Sequence, residues 1–160
     1  MYVIGNTLYF KCEITKEIIN RLAVKCLQAR VYDLSKAIVK GDYNKAYSVL
    51  DTLFAMKEES ISVLSVISGC YVDMYRAKCA KIAGEPVEDV GNYYNYKGRE
   101  FALRNAMRDC TALSVDQLRK SLDVLMLADN ALKSTGADKR LILEETLVKL
   151  LLISKEVHYD

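Results

Sequence analysis

The chain has 160 residues, a formal net charge of +2, and a composition of 51% hydrophobic and 28% charged residues. This length suits one domain, or one domain with a small piece of another, and it allows a core to form without disulfides. The small net charge gives no support to nucleic-acid binding through bulk charge. One proline, Pro86, and seven glycines are too few for an all-β fold, which needs a turn about every 8–12 residues. We therefore predict an all-α fold, a compact bundle of about seven helices.

The cysteines and the hydropathy pattern bear on localisation. The cysteines are odd in number and form no Cys-x-x-Cys pair: Cys12, Cys26, Cys70, Cys79 and Cys110. With no secretory signal visible at Met1, we expect reduced thiols in a cytoplasmic protein. No apolar stretch reaches the ~18 residues of a membrane span, so we expect no membrane partner.

The first forty residues predict two short helices. Residues 1–14 leave two interpretations open, a β-hairpin with Asn6 in the turn or the end of a helix. Thr15 is placed to cap a helix from Lys16 to about Lys25. A second helix is predicted to end at Gly41. The apolar positions of the two helices are Ile18, Ile19 and Leu22, then Val31, Leu34, Ile38 and Val39.

The middle of the chain predicts a third helix capped by Asp42 and a long fourth helix from near Ser60 to Gly84. A short helical turn, Pro86 to Val90, a loop over residues 91–96, and a helix from about Gly98 to Ala112 follow. The apolar positions of the third helix are Ala46, Val49, Leu50, Leu53 and Phe54, and those of the fourth are Ile61, Leu64, Ile67, Tyr71, Met74, Tyr75 and Ile82. In the helix from Gly98 to Ala112 they are Phe101, Leu103, Ala106, Met107 and Cys110.

The last two helices carry the strongest local signals. Ser114 and Gln117 form a capping box that opens a helix from Val115 to about Ser134. Asp138 is predicted to cap the final helix. On the first of these helices one face is formed by Leu118, Leu122, Leu125, Asp129 and Leu132. On the final helix the predicted buried face is formed by Leu143, Leu147, Leu150 and Leu151.

The chain shows no arrangement typical of catalysis, and we expect neither a cofactor nor a metal. Its one histidine, His158, lies two residues from the end, and neither glycine-rich phosphate-loop pattern occurs. Adjacent carboxylates on a helix point about 100° apart, so we expect neither Glu58-Glu59 nor Glu144-Glu145 to form an acid–base pair. No paired aspartates suit the two-metal chemistry of nucleotidyl transfer.

The tyrosine-rich segment is a candidate nucleic-acid or partner surface. Its aromatic and basic residues are Tyr93, Tyr94, Tyr96, Lys97, Arg99 and Arg104. Such residues stack on bases and contact phosphates in single-stranded nucleic-acid binders. Tyrosines of this kind also pack their rings beneath loops and leave the hydroxyl in water. Arg76, Lys78 and Lys81 have the same two interpretations, a solvated helix face or a partner surface.

Four segments in order resemble bacterial DNA polymerase III delta subunits. They are Tyr32 to Ala46 (YDLSKAIVKGDYNKA), Arg76-Ala77-Lys78, Leu113 to Leu118 (LSVDQL), and Ala128 to Leu141 (ADNALKSTGADKRL). The resemblance covers roughly Ile14 to Leu152. It assigns the joint between the last two helices to Asp129, Leu132, Lys133, Gly136 and Asp138. The chain departs from the family at Tyr96 to Arg99, where a His-Pro or similar dipeptide is usual.

The resemblance implies an assembly role in DNA replication in the bacterial cytoplasm. Delta subunits are similar in having an AAA+-like module that opens the sliding clamp, a helical lid, and a helical collar that packs with the other clamp-loader subunits. The resemblance implies that residues 1–33 are a helical remnant at the end of the lid, and that residues 34–160 form the collar. The clamp would be contacted only by a module upstream of Met1, and DNA only indirectly or weakly. A collar also needs a second apolar stripe on its helices, in addition to the stripe that forms their own core. Any polymerase or nucleotidyltransferase activity would belong to the holoenzyme.

Overall fold

The computed structural model describes residues 2–4, 7–9, 15–97, 99–134, 136 and 138–156. These residues form seven α-helices and one short β-hairpin, so the predicted all-α bundle is confirmed. The strands are β1 (Tyr2–Ile4) and β2 (Thr7–Tyr9). The helices are α1 (Lys16–Val39), α2 (Tyr43–Ala55), α3 (Ser60–Ala83), α4 (Val90–Tyr93), α5 (Glu100–Asp109), α6 (Val115–Lys133) and α7 (Lys139–Ser154).

Residues 2–4 and 7–9 form two paired strands and not the end of a helix. Strands β1 and β2 pair antiparallel, with Tyr2 opposite Tyr9 and Ile4 opposite Thr7. Residues 2–4 and 7–9 are therefore strands, whereas α1 begins at Lys16, and the assignment of residues 1–33 to the end of the lid stays a prediction. His158 and Cys12, named in the sequence, lie outside the described residues.

One continuous helix replaces the first two predicted helices. Helix α1 runs from Lys16 to Val39 without a break. The segment between Lys25 and Val31 contains neither glycine nor proline and is rich in good helix formers. Its Leu27, four residues before Val31, packs against the core, so the helix continues through the segment. The domain boundary predicted at residue 33 falls inside this helix.

The predicted helix ends are largely confirmed. The side chains of Thr15 and Asp42 accept hydrogen bonds from the first-turn amides of α1 and α2. Gly84 ends α3 with a φ of +74°, a left-handed conformation that suits glycine. The capping box of Ser114 and Gln117 opens α6.

The segment between α3 and α5 differs in detail from the prediction. A 3-10 turn over Val87–Asp89 leads directly into α4, so residues 91–93 are helical and not part of a loop. Val87 and Val90 are buried, which anchors this short turn to the body of the protein. Helix α5 starts at Glu100, and a second 3-10 turn over Cys110–Ala112 completes the stretch predicted as one helix.

Helix α3 lies at the centre of the bundle and contacts α1, α5, α6 and α7. Its Leu64, Ile67, Tyr71 and Met74 are buried as predicted. Leu22, Ile61 and Ile82, also expected on apolar faces, are exposed, and the core uses other positions of those helices. The fully buried large side chains are Tyr71, Leu34, Ile38, Leu50, Leu53, Leu64, Leu113, Leu118, Leu125 and Leu150. Within the described segments, no helix combines the length and apolar character needed to cross a membrane.

Candidate assembly surface

The tyrosine-rich segment divides between the surface and the interior. Tyr93 is 82% exposed, and Tyr94, Lys97, Arg99 and Arg104 are also exposed. Tyr96 is 6% exposed and belongs to the core. Of the two interpretations of the tyrosines, Tyr96 fits the packed one, although its hydroxyl bonds to a buried partner and not to water.

That partner is Asp73 of α3, a carboxylate that is almost fully buried. The Tyr96 hydroxyl donates a hydrogen bond of 2.6 Å to Asp73 Oδ1. Arg76 Nη1 lies 3.6 Å from the same oxygen, and Arg99 Nη2 lies 3.5 Å from Oδ2. Burial, followed by the bond to Asp73, raises the pKa of Tyr96 above its ordinary value of 10.0. Two arginines and one phenol thus compensate the buried charge.

Arg76 also holds Tyr94 in place. Its guanidinium carbon lies 3.6 Å from the centre of the Tyr94 ring, a cation–π contact. The structure therefore brings Tyr94, Tyr96 and Arg99 together around Asp73. Neither Lys97 nor Arg104 forms an ion pair with another described residue. Sequence reasoning missed Asp73, although a lone acid among the apolar residues of α3 is a signal of a buried polar network.

The residues predicted at the joint of the last two helices lie there. Asp129 and Lys133 form an ion pair one turn apart in α6, and Leu132 is buried. Gly136 has a φ of +86°. Asp138 accepts hydrogen bonds of 2.9 Å and 3.2 Å from the amides of Arg140 and Leu141. These residues stop α6, turn the chain and start α7.

Helices α6 and α7 also carry an apolar face that the core does not use. We call it the α6–α7 outer surface: Leu127, Leu141, Val148 and Leu152, all exposed. The three α7 residues, with Glu145, recur at spacings of four, three and four, so they lie on one face of the helix. Exposed apolar residues that cluster in this way mark protein interfaces.

A shallow groove between the two helices borders this surface at Leu127 and Glu145. It has a volume of about 250 Å³, and its walls include Leu127 and Ala131 from α6 and Ile142 from α7. The side chains of Glu145 and Lys149, which also line it, form an ion pair of 2.6 Å. An apolar groove with a charged edge resembles the core and rim of a protein–protein contact.

The sequence contained a signal for this surface that the prediction used only in general terms. Helix α7 holds eight leucine, isoleucine and valine residues from Leu141 to Leu152. One buried face of a helix accommodates about three or four per two turns, and here the buried ones are Leu143, Leu147, Leu150 and Leu151. The excess therefore indicates a second apolar face, and the structure shows which residues form it.

Within the described residues, no group of three or more His, Cys, Asp or Glu side chains is placed to hold a metal ion. The surface of the described residues carries apolar grooves and ion pairs. Their chemistry suits contact with another macromolecule.

Comparison with known proteins agrees with the architecture. Residues 28–150 match the family described as DNA polymerase III delta subunit, C-terminal domain. The DNA polymerase III subunit delta of Bacillus subtilis (strain 168) is 25% identical over 139 residues, which is 87% of this chain and 40% of the relative. The chain thus spans less than half the length of that relative.

A solved structure, the Bacillus subtilis DNA clamp loader delta protein, has a similar fold. The two superpose with a TM-score of 0.73 at 24% sequence identity, over 87% of this chain and 40% of that chain. At this identity the likeness concerns the fold.

Proposed function

The chain belongs to the family of carboxy-terminal domains of DNA polymerase III delta subunits, and we propose that it is the collar of a clamp loader. In this role its helices pack against the other clamp-loader subunits and hold together the assembly that places a sliding clamp on DNA during replication. The collar comprises residues 34–160, and the preceding residues end the lid. The polypeptide acts in the bacterial cytoplasm.

The observation that carries the proposal is the α6–α7 outer surface. Leu141, Val148 and Leu152 expose apolar side chains along nearly the whole of α7. A stable protein contact buries about 800 Å² on each partner. Leu127 and the adjoining groove extend the surface across α6, which supports a contact wider than one helix.

The proposed role is one of assembly and not of catalysis. The sliding clamp and nucleotide are handled by other parts of the loader, and nucleotidyl transfer by the polymerase. DNA is contacted indirectly or weakly. The burial of Tyr96 supports this division, because it leaves fewer stacking rings on the surface than the sequence suggested.

The test is co-elution of the chain with the other clamp-loader subunits in size-exclusion chromatography. The parent chain should join a complex, and Leu152→Glu should not, because a charge placed within an apolar contact opposes desolvation. Ile82→Glu is the matched control, since Ile82 is 67% exposed and Leu152 is 64% exposed. Ile82 lies outside the α6–α7 outer surface, so this variant should still co-elute.

Failure of the parent chain to co-elute with any of the loader subunits would count against the collar role. Equal loss of co-elution by both variants would keep the collar role but remove the α6–α7 outer surface as its contact. Circular dichroism of both variants establishes that the helical fold is retained.

A further inference from the structure

A second, larger groove lies on another side of the bundle, between α3, α4 and α6. We call it the α3–α4 groove; its volume is about 580 Å³. Most of the side chains that line it are aliphatic or aromatic, among them Val72, Tyr75, Ala80, Ala83, Val90, Tyr94 and Leu122. On α6, Leu122 and Leu127 are about 140° apart. The groove is therefore separate from the α6–α7 outer surface.

The groove exists because small residues face a short, displaced helix. The last turns of α3 present Cys79, Ala80 and Ala83 to it, and these side chains fill little space. Gly84 and Pro86 then turn the chain, and α4 is anchored through its buried Val90 and the preceding Val87. The space between the two helices stays open to solvent.

One wall of the groove is fixed before any partner arrives. Tyr94 stacks under the guanidinium of Arg76 at 3.6 Å. Arg76 is itself held 3.6 Å from the buried Asp73, which also accepts the Tyr96 hydrogen bond. A wall held in this way loses little conformational freedom on binding, which favours affinity.

The edge of the groove carries acidic side chains, one of which, Asp89, accepts a hydrogen bond of 3.1 Å from Asn92. Glu85 and Asp89 line it, and neither forms an ion pair with another described residue. The adjacent Glu88 is exposed on the same turn. Among the described residues that line the groove, the one cation is Arg76, which is already engaged by Asp73 and Tyr94. Carboxylates in this position repel phosphate and attract a lysine or an arginine.

We propose that the α3–α4 groove docks an amphipathic α-helix of a protein partner, with apolar side chains in the groove and lysine or arginine against Glu85 and Asp89. Helices bind in grooves through apolar anchors at i, i+3 or i+4, and i+7, and a preformed apolar groove suits that mode. Opposite charge at the edge sets the direction and the choice of helix.

The probe is a pair of synthetic, fluorescently labelled amphipathic helices that share one leucine face. One carries lysines beside that face, and the other carries glutamates in their place. Fluorescence anisotropy with the 160-residue chain should show binding of the basic peptide, with the acidic peptide weaker by about tenfold. The double variant Glu85→Lys/Asp89→Lys should reverse this preference.

A matched pair of variants locates the binding. Ala83→Trp places a bulky side chain inside the groove, where it obstructs an incoming helix, and should abolish binding of the basic peptide. Ile82→Trp adds the same side chain at the neighbouring exposed position, which does not line the groove, and should leave binding unchanged.

No binding of the basic peptide at up to about 1 mM, equal binding of both peptides, or full binding by Ala83→Trp would each overturn the proposal. Concentration-dependent self-association that Ala83→Trp abolishes would assign the groove to a second copy of the chain and overturn it as well. Sedimentation of the parent chain should therefore show no dimer that depends on the groove.

Discussion

Nε2 of Gln117 donates a hydrogen bond of 2.7 Å to the carbonyl oxygen of Ile153, 36 positions away in the sequence. It donates a second, of 3.1 Å, to the carbonyl oxygen of Glu156. Its Oε1 accepts a bond of 2.9 Å from the Ser114 amide. Helix ends leave amides and carbonyls without intrahelical partners. One buried side chain thus satisfies such groups at the start of α6 and the end of α7.

Gln117→Glu should destabilise the chain, because it replaces the Nε2 donor with an acceptor that faces two carbonyl oxygens. We expect the free energy of unfolding at neutral pH to fall by about 1–3 kcal/mol. The introduced carboxyl regains a donor when it is protonated, so the deficit should shrink as the pH falls to about 4. Urea unfolding at the two pH values measures both effects.

Gln28→Glu is the control, since Gln28 is half-buried in α1 and makes no hydrogen bond with its side chain to a described residue. It should change stability by no more than about 0.5 kcal/mol. A Gln117→Glu chain as stable as this control would show that the bonds to α7 contribute nothing.

The same residue shows how far local sequence signals reach. The pair Ser114 and Gln117 predicted the start of α6 correctly, because a capping box involves only four adjacent residues. The contact of Gln117 with α7 had no local signal, since it depends on how two helices pack. The prediction also divided α1 into two helices. Residues 25–30 contribute one large apolar side chain to the buried face, Leu27, and a single position is a weak periodic signal.

For the candidate surfaces, too, the sequence predicted local features better than it predicted contacts between helices. The apolar excess of α7 indicated a second face, and the structure placed it at Leu141, Val148 and Leu152. Composition around the tyrosine-rich segment indicated a surface, but it did not show that Tyr96 would be drawn inward by Asp73. The α3–α4 groove had no sequence signal, because a groove arises where the chain leaves space.

Tyr96→Phe should lower the free energy of unfolding by about 1–3 kcal/mol, because it leaves a buried carboxylate without its shortest hydrogen bond. Tyr93→Phe removes the same hydroxyl from a residue that is 82% exposed, and should have an effect of at most about 0.5 kcal/mol. Urea unfolding of both variants decides the matter. Equal stability of the two would mean that Asp73 is satisfied by its arginines alone.

Arg140 should stabilise the contact between α2 and α7 in a salt-dependent way. Its Nη2 donates a bond of 2.9 Å to Asp51 of α2, and its Nε donates one of 2.8 Å to Glu144. Arg140→Ala should lower the melting temperature at low salt. The difference from the parent chain should narrow at about 1 M NaCl, where the Debye length is about 3 Å.

Lys139→Ala removes a neighbouring positive charge that has no ion pair with a described residue, and it serves as the control for Arg140→Ala. Its melting temperature should stay close to that of the parent chain at both salt concentrations. A deficit of Arg140→Ala that is the same in low and high salt would assign the effect to lost packing on Phe54, 4.9 Å beneath the guanidinium, and not to charge.

Cys70 should make the fold sensitive to alkali. Burial is the main cause that raises the pKa of its thiol from 9.0 to about 12. The folded chain therefore favours the neutral thiol, whereas the unfolded chain releases the proton near pH 9. The stability that this thiol contributes is complete below pH 9 and is lost between pH 9 and about pH 12.

Cys70→Ala should flatten the decline of stability over that pH window, measured by urea unfolding in steps of pH. Cys79→Ala, which removes an exposed cysteine from the same helix, should leave the decline as it is in the parent chain. Alkylation at about pH 8 gives an independent reading, because thiolates are the reactive species and Cys70 is held as the neutral thiol. Mass spectrometry of the folded chain should find Cys79 modified and Cys70 intact, and rapid labelling of Cys70 would show that the α3 core opens.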